Sequence, residues 1–530
     1  MVLSQQQVDT RPKRSLLQVG LITCCMVGIQ FTWTVELSYG TPYLLSLNLS
    51  KELTALVWLA GPLSGLIVQP LIGAWSDKCT SKLGRRRPFI IIGSVLVCIS
   101  LFCVGYAKEI SRLLTSDEDN EARNNKLAIA IAVSSFYFLD FCLNAVQACC
   151  RSLFLDVFPI SQQDTANAFG SNLGNLTNVF GYFIGYLDLV KYLPMLGHSQ
   201  MGALCIAGIL VFALSMTITC LSVQEIPLSA DAVVKTDEPW YQVFVYIWYA
   251  LRRLPPSVQT LCNAQFFAWM GWFPFLFYST TWVSEIYFEA HQPERWDEGT
   301  RAGSFALLMY AIVSAVAGTI LPMLTNHGFL SLKNTYTLSH TVFATAMLLT
   351  FFIHSVVGAT LLLGLVGVSW ATTMWIPFAL IGEYLVIEQQ RKSHLLQQRS
   401  SYATMEDETS SSSGVSSSSR TQVGEEEDDE ERGQLLVAAD DDTMDAGMVL
   451  GVHNMYVVFP QFAVAIIAAL IFSVAKAMQQ AEGPPVDDDD DEDQRGNWGV
   501  PWVLRFGGMM AIMAIVLSRR VVDVDLNNKK

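Results

Sequence analysis

The chain has 530 residues, of which 52% are hydrophobic and only 15% are charged, whereas a soluble domain carries about 25% charged residues. This deficit excludes an ordinary soluble protein and indicates segments that lie in lipid, where charge is costly. The net charge of −15 is concentrated in the acidic runs Glu425 to Glu431 and Asp487 to Asp493, and no basic patch that would bind nucleic acid remains outside the short loops.

Long apolar segments follow one another along the chain, each close to the length of about 20 residues that a membrane-spanning helix needs. The polar stretch 223–255 separates two groups of six, as the central loop of a two-halved transporter does. The pattern predicts an all-α polytopic membrane protein with two six-helix halves, 16–222 and 256–519, and with cytoplasmic tails at 1–15 and 520–530. The predicted spans are 16–39, 53–75, 88–107, 127–150, 165–187, 201–222, 257–282, 302–325, 336–356, 358–385, 448–475 and 499–519.

Basic loops set the expected orientation, because short loops rich in Lys and Arg stay in the cytoplasm. The loop from Asp77 to Pro88 and the tail that begins at Arg519 fall on one side, whereas the loops at 108–126 and 476–498 are acidic or mixed. Both termini are therefore predicted to be cytoplasmic. We expect the plasma membrane as the location, with the vacuolar membrane as the alternative.

Residues 388–447 form a polar insertion before the eleventh span. They contain a Ser run, Ser410 to Ser419, and then an acidic run, a composition that cannot bury a core and predicts disorder. The segment is expected in the cytoplasm, where it is either a plain spacer or a target for a kinase.

The sequence shows no pattern typical of an enzyme. The seven histidines are scattered, and no nucleophile–base or metal-binding motif appears. Nearly all of the 11 cysteines lie in apolar runs without a CxxC pair, which indicates packing residues. We expect no catalytic site, metal or cofactor.

Asp140 is the ionisable residue that most needs an explanation, since it lies near the middle of the fourth span. Asn144, Gln147 and Arg151 follow at steps of four, three and four, which places all four side chains on one stripe of a helix. A low-dielectric site disfavours the charged carboxylate, so Asp140 could take up and release a proton. The amides of Asn144 and Gln147 suit sugar hydroxyls. The alternative is a permanent network between helices that includes Asp140 and Arg151.

Glu36, in the outer half of the first span, follows Gln30 and Trp33 at steps of three, on one helical face. An aromatic ring beside hydrogen-bonding groups is a good platform for a sugar. We therefore predict that Gln30 and Trp33 bind substrate and that Glu36 takes part in proton coupling. The alternative is that Trp33 is a packing residue and Glu36 lies in an outer vestibule.

Two further sets of residues are candidates for the pathway. Asn172, Asn175 and Asn178 share one face of the fifth span, where they either line a cavity and bind substrate or bond to neighbouring helices. The seventh span carries an aromatic run whose members either line the pathway or pack: Trp269, Trp272, Phe273 and Phe275.

Several motifs together resemble one transporter family. The second span and its loop read Trp58-Leu59-Ala60-Gly61-Pro62-Leu63-Ser64-Gly65 to Gln69-Pro70, then Ser76-Asp77 and Gly84-Arg85-Arg86-Arg87-Pro88. The match extends to Gln30-Phe31 and Trp33, Leu139-Asp140, Gln147, Cys150-Arg151, Ala166 to Phe169, Trp272 to Leu276 and Leu450 to Gln461. These residues resemble the sucrose/H⁺ symporters of the glycoside–pentoside–hexuronide group in the Major Facilitator superfamily.

The resemblance implies that Asp140 is the proton site and contacts the sugar. It also implies that the loop with Asp77, Arg85, Arg86 and Arg87 belongs to the cytoplasmic gate, to which we add the charged residues at the same end of the fourth span, Arg151 and Asp156.

Of the charges that plant members carry after the seventh span, only Glu285 remains in this chain. The long Ser-rich and acidic loop resembles fungal members. The expected function is import of a disaccharide such as sucrose or maltose together with H⁺; the alternative is a sugar sensor on a transporter scaffold.

Overall fold

A computed structural model describes residues 12–115, 121–225, 254–291, 295–327, 329–411, 446–481 and 499–521, together with residues 245, 248, 249 and 252. Within these ranges the chain is helical and has no strand. Its long helices, labelled in chain order, are α1 Leu16–Ser46, α2 Lys51–Asp77, α3 Arg87–Gly105, α4 Glu121–Val157, α5 Ile160–Tyr186, α6 Gln200–Ser222, α7 Pro256–Ala290, α8 Asp297–Asn326, α9 Leu332–Leu349, α10 Val356–Ser411, α11 Ala446–Ala481 and α12 Gly499–Ser518.

Each predicted span coincides with one of these helices, so the all-α polytopic fold is confirmed. In the described part of the chain, nine helices are long and apolar enough to cross a membrane by length and composition. The other three are α5, α7 and α9, and they pack among the nine. Amides on α5 reduce its hydropathy, and they are tolerated because α5 packs against α1 and α8.

Serine side chains define where several helices begin. Ser15 and Gln18 form a capping box at the start of α1, and Ser50, Ser199 and Ser331 each accept a hydrogen bond from a backbone N–H in the first turn of α2, α6 and α9. These caps fix the entry of the chain into each helix at a polar residue next to an apolar run.

The second helix is irregular along most of its length. A turn at Trp58 and Leu59 interrupts it, and Ser64–Val68 forms a π-helical turn. Pro62 and Pro70 lack the backbone N–H that a regular α-helix would use, and a π-turn accommodates such a break. The irregular stretch is the part of α2 that passes the middle of α4, where Ser64 Oγ donates to the carbonyl of Asp140.

Each half has its own apolar core. One cluster is built almost wholly from α1, α3, α4 and α6, with Phe158 and Phe212 fully buried. A second is built mainly from α7 to α12, with Trp272 and Phe275 at its centre. The second core also takes in Ala55, Trp58 and Tyr182 of the first half, so it extends across the contact between the halves.

One expectation is wrong in part. Residues 388–411 were expected to be disordered, but they continue α10 as far as Ser411. Half of the 24 residues in this stretch are Leu, Gln, Glu, Lys or Arg and none is Gly or Pro, so it favours a helix despite its polarity. Residues 412–445, which hold most of the Ser run and the acidic run, lie outside the described residues, as do most of 223–255, residues 1–11 and residues 522–530.

Candidate functional site

Two carboxyl groups meet near the middle of the first half. Glu36 on α1 and Asp140 on α4 are each only 2% exposed, and their carboxyl groups lie close enough to interact. Among the described residues, nothing donates a hydrogen bond to Glu36 Oε2 or Asp140 Oδ1. Ionised carboxylates only accept hydrogen bonds, so a bond between two of them requires a proton. A proton on either group would let it donate to the other and would remove the repulsion between two buried charges.

The backbone around Asp140 is fixed by α2 and by α4 itself. The carbonyl oxygen of Asp140 accepts from Ser64 Oγ at 3.0 Å and from Asn144 Nδ2 at 2.9 Å. Asn144 Oδ1 in turn accepts from Gln69 Nε2 at 2.7 Å. The amide of Asn144, predicted to bind sugar, is thus engaged on both sides with protein groups and holds α2 against α4.

The other side chains of the predicted stripe become more exposed with distance from this buried pair. Gln147 is half-buried, and Arg151 is exposed. Within the described residues Arg151 has no ion-pair partner, and the partner of Asp140 is Glu36. The alternative of a permanent Asp140–Arg151 network is therefore not what the structure shows.

The predicted residues on α1 and α5 come together in part. Asn178 Oδ1 accepts from Gln30 Nε2 at 2.9 Å and from Thr34 Oγ1 at 2.7 Å, which joins α5 to α1. Asn175 and Asn172, about one and two turns away, are exposed and make no such bond in the described structure. Trp33 is half-buried against the core of the first half.

All four members of the aromatic run of α7 are buried in the core of the second half: Trp269, Trp272, Phe273 and Phe275. Trp272 and Phe275 are in the core of the second half, where Trp272 Nε1 donates to Thr373 Oγ1 at 3.2 Å. Trp269 Nε1 is buried and, among the described residues, has no acceptor. Packing is therefore the role of Trp272 and Phe275.

The two halves are joined at the end of the bundle opposite the Asp77–Pro88 loop, which we call the closed end. Lys51 Nζ on α2 lies 3.6 Å from Glu285 Oε1 on α7. The rings of Trp58 and Phe277 stack with centroids 4.1 Å apart, and Thr41 Oγ1 donates to the carbonyl of Phe277 at 2.8 Å. These contacts cover the side of the carboxyl pair that faces this end.

A second set of contacts joins α5 to α8 at the same end. Arg301 donates to Asp188 Oδ2 at 3.2 Å and to the carbonyl of Tyr186 at 3.1 Å. Arg295 lies 3.7 Å from the same Asp188 oxygen. These ion pairs and hydrogen bonds between the halves lie towards the closed end, whereas α2 and α11 also pack near the middle of α2, where Gly61 faces Gln461 and Gly65 faces Val458.

The charged residues around the Asp77–Pro88 loop form a cluster within the first half. Arg85 pairs with Asp156 at 2.7 Å, and Arg86 pairs with Asp156 at 2.9 Å and also with Asp77. Burial lowers the pKa of Arg86, but its bonds to Asp156 and Asp77 more than offset this, so the pKa lies above its ordinary value. Arg86 is therefore held in its charged form. Four of the six predicted gate residues meet in this cluster: Asp77, Arg85, Arg86 and Asp156.

Sequence reasoning missed the residue that shapes this loop. Glu225, just after α6, accepts from the backbone N–H groups of Arg86 and Arg87, each at 3.0 Å. Gly84 has φ +105, and a Cβ there would collide with Glu225. The only signal in the sequence was an acidic residue next to the end of a span.

Comparison with known proteins decides the family. The family model described as Major Facilitator Superfamily matches residues 15–392. The chain belongs to the Major Facilitator Superfamily. This Major Facilitator protein is a transporter and not an enzyme, and the resemblance seen in its motifs is confirmed.

Two relatives and one solved structure are similar to this transporter. It is 30% identical to the General alpha-glucoside permease of Schizosaccharomyces pombe over 98% of this chain and 95% of that protein. It is 32% identical to Sucrose transport protein SUT3 of Oryza sativa subsp. japonica over 57% of this chain and 63% of that protein. The xylose transporter XylE from E. coli, in its inward open conformation, shares the fold with a TM-score of 0.53 and 12% identity over 96% of both chains.

Proposed function

We propose that this transporter imports an α-glucosidic disaccharide, such as sucrose or maltose, together with H⁺ by alternating access. The names of its relatives support the substrate class. The proposal of proton coupling rests on the contact between Glu36 and Asp140, two buried carboxyl groups that need one proton between them. A transporter that moved sugar alone would have no use for such a pair, which is costly to bury.

The expected orientation assigns the closed end to one side of the membrane. If the basic loops are cytoplasmic, the closed end faces outward and the carboxyl pair lies beneath the outer closure. Opening this closure would expose the pair to the outside, where it takes up a proton and sugar binds beside it. Closing it again would carry both to the cytoplasmic side, where the proton leaves towards higher pH.

Sugar contacts are proposed where polar side chains remain accessible. Gln147, Asn172 and Asn175 are half-buried or exposed, and Gln30 and Trp33 are half-buried on the facing helix. Amide groups can donate to and accept from sugar hydroxyls, while the Trp33 ring can pack on an apolar sugar face. Residence in the plasma membrane and phosphorylation of the Ser-rich insertion belong to the same proposal.

Uptake into vesicles that contain the purified protein tests the coupling. A gradient of two pH units stores about 2.7 kcal/mol per proton, enough for roughly 100-fold accumulation of sugar with one proton each. Asp140→Asn should equilibrate sugar without accumulating it, whereas Glu109→Gln, a matched loss of an exposed carboxyl group, should accumulate normally.

Unchanged uphill uptake by Asp140→Asn would overturn the assignment of the proton site. Binding of sugar without any uptake by the unmodified protein would instead indicate a sensor. A panel of sucrose, maltose and other α-glucosides in the same vesicles ranks the substrates.

A further inference from the structure

A groove of about 510 Å³ lies on the surface of the second half, between the start of α9 and the end of α12. Thr337 Oγ1 and Ser518 Oγ are 2.9 Å apart and hold the two helices together there. The groove is far from the carboxyl pair and plays no part in the proposed transport cycle. Its lining residues are Lys333, Asn334, Thr337, Leu338, Thr341 and Arg519.

The groove carries positive charge that nothing described neutralises. Lys333 and Arg519 come from different helices, and neither forms an ion pair with a described residue. Asn334 and Thr341 add an amide and a hydroxyl group beside the two cations. Two cations with neutral donors around them are the ligand set that proteins use for a phosphate group.

The position of the groove along the helices corresponds to the level of the lipid head groups. The 18 residues of α9 extend about 27 Å at 1.5 Å per residue, close to the hydrocarbon thickness of about 30 Å. Lys333 is in the first turn of α9, and Arg519 directly follows α12. Both cations therefore lie at one boundary of the hydrocarbon layer.

The exposed side of α9 continues towards the middle of the bilayer with leucines at both ends and two exposed threonines, Thr341 and Thr345, between them. Leu338 lines the groove and is 59% exposed, and Leu348 lies exposed further along the helix. A bound molecule with a phosphate group at Lys333 would place any attached hydrocarbon chain on this surface. A free anion in the groove would leave the exposed side chain of Leu338 uncovered.

We propose that this groove binds the phosphate head group of an anionic phospholipid, with Lys333 and Arg519 on the phosphate and an acyl chain along Leu338. Basic pockets between transmembrane helices at the cytoplasmic surface recognise such head groups. The site goes beyond the transport function, and it does not depend on which sugar is carried.

Native mass spectrometry of the full-length protein tests the site, with short-chain phosphatidylserine as the probe and phosphatidylcholine as the neutral comparison. The variant Lys333→Gln/Arg519→Gln should bind phosphatidylserine about 30-fold more weakly, since each charge contributes about 1 kcal/mol and a tenfold change is about 1.4 kcal/mol. The control Lys191→Gln/Arg520→Gln loses the same charge outside the groove and should bind as the unmodified protein does. Each single groove variant should lose about fivefold, and an unchanged unfolding temperature in phosphatidylcholine shows an intact fold.

Three results would each overturn the proposal. Equal weakening in the groove variant and the control would show that only net charge matters. Full displacement of the lipid by inorganic phosphate would show a site for a free anion. Tighter lipid binding after removal of residues 522–530 would show that this tail, through Asp523 and Asp525, is the natural occupant.

Discussion

Removing the charge of Lys51 should loosen the closed end of the transporter. Lys51 lies 3.6 Å from Glu285 and links α2 to α7 across the two halves. The side chain of Glu285 is only 11% exposed, and that of Lys51 is 31% exposed. Lys51→Met keeps the apolar stem of the side chain but leaves a largely buried carboxyl group without its cation.

The magnitude follows from this partial burial. Exposed ion pairs contribute about 0.2–1 kcal/mol, and loss of one partner of a buried pair costs about 3–5 kcal/mol. Because Lys51 is about a third exposed, we expect a loss of roughly 1–2 kcal/mol in the closed conformation. The ratio of open to closed molecules at this end should rise about 5- to 30-fold.

Distances between spin labels on unnatural amino acids at Leu53 and Phe288 measure this opening, because both side chains are exposed next to the ion pair. Lys51→Met should add a population at longer distance. Lys191→Met, which removes a charge at the same end within one half, should not. The exchange Lys51→Glu/Glu285→Lys should restore the short distance. An unchanged distance distribution in Lys51→Met, or the same change in Lys191→Met, would refute the reasoning.

Two further variants test packing and loop structure. A Cβ at Gly271 would lie 2.9 Å from the carbonyl of Gly507, so Gly271→Ala should destabilise the α7–α12 contact by about 1–3 kcal/mol and lower the unfolding temperature. The control is Gly73→Ala, where the added Cβ meets no atom, and this variant should not lower the unfolding temperature. Equal unfolding temperatures for both variants would contradict this. Glu225→Ala removes the acceptor of two backbone N–H groups after Gly84, so we expect faster proteolytic cleavage of the Asp77–Pro88 loop; cleavage at the unmodified rate would show that Glu225 does not hold it.

Local patterns in the sequence predicted the spans well, because hydrophobicity is the main requirement for a helix in lipid. The predicted span 201–222 differs from α6 by a single residue. The end of α10 was missed for the same reason: residues 388–411 are polar, and polarity carries no information about whether a helix continues beyond the membrane. Helix propensity, which favours Leu, Gln and Glu, was the signal available there.

The candidate site was only partly visible in the sequence. A charged residue in an apolar run stands out, so Asp140 and Glu36 were both recognised as needing an explanation. Their contact with each other was not recognised, because they are 104 residues apart and on different helices. Lys51 and Glu285 were equally hidden, since each is an unremarkable charge near the end of a span.

The sequence by itself determined the class of protein, the number and order of the spans and the residues that carry charge into the membrane. These follow from composition and from periodicity along one helix, which are local properties. Tertiary structure decided which charges meet: Glu36 with Asp140, Lys51 with Glu285, and Asp188 with Arg301. Such pairs depend on how helices are rotated and placed against one another, and packing across the whole bundle sets that arrangement.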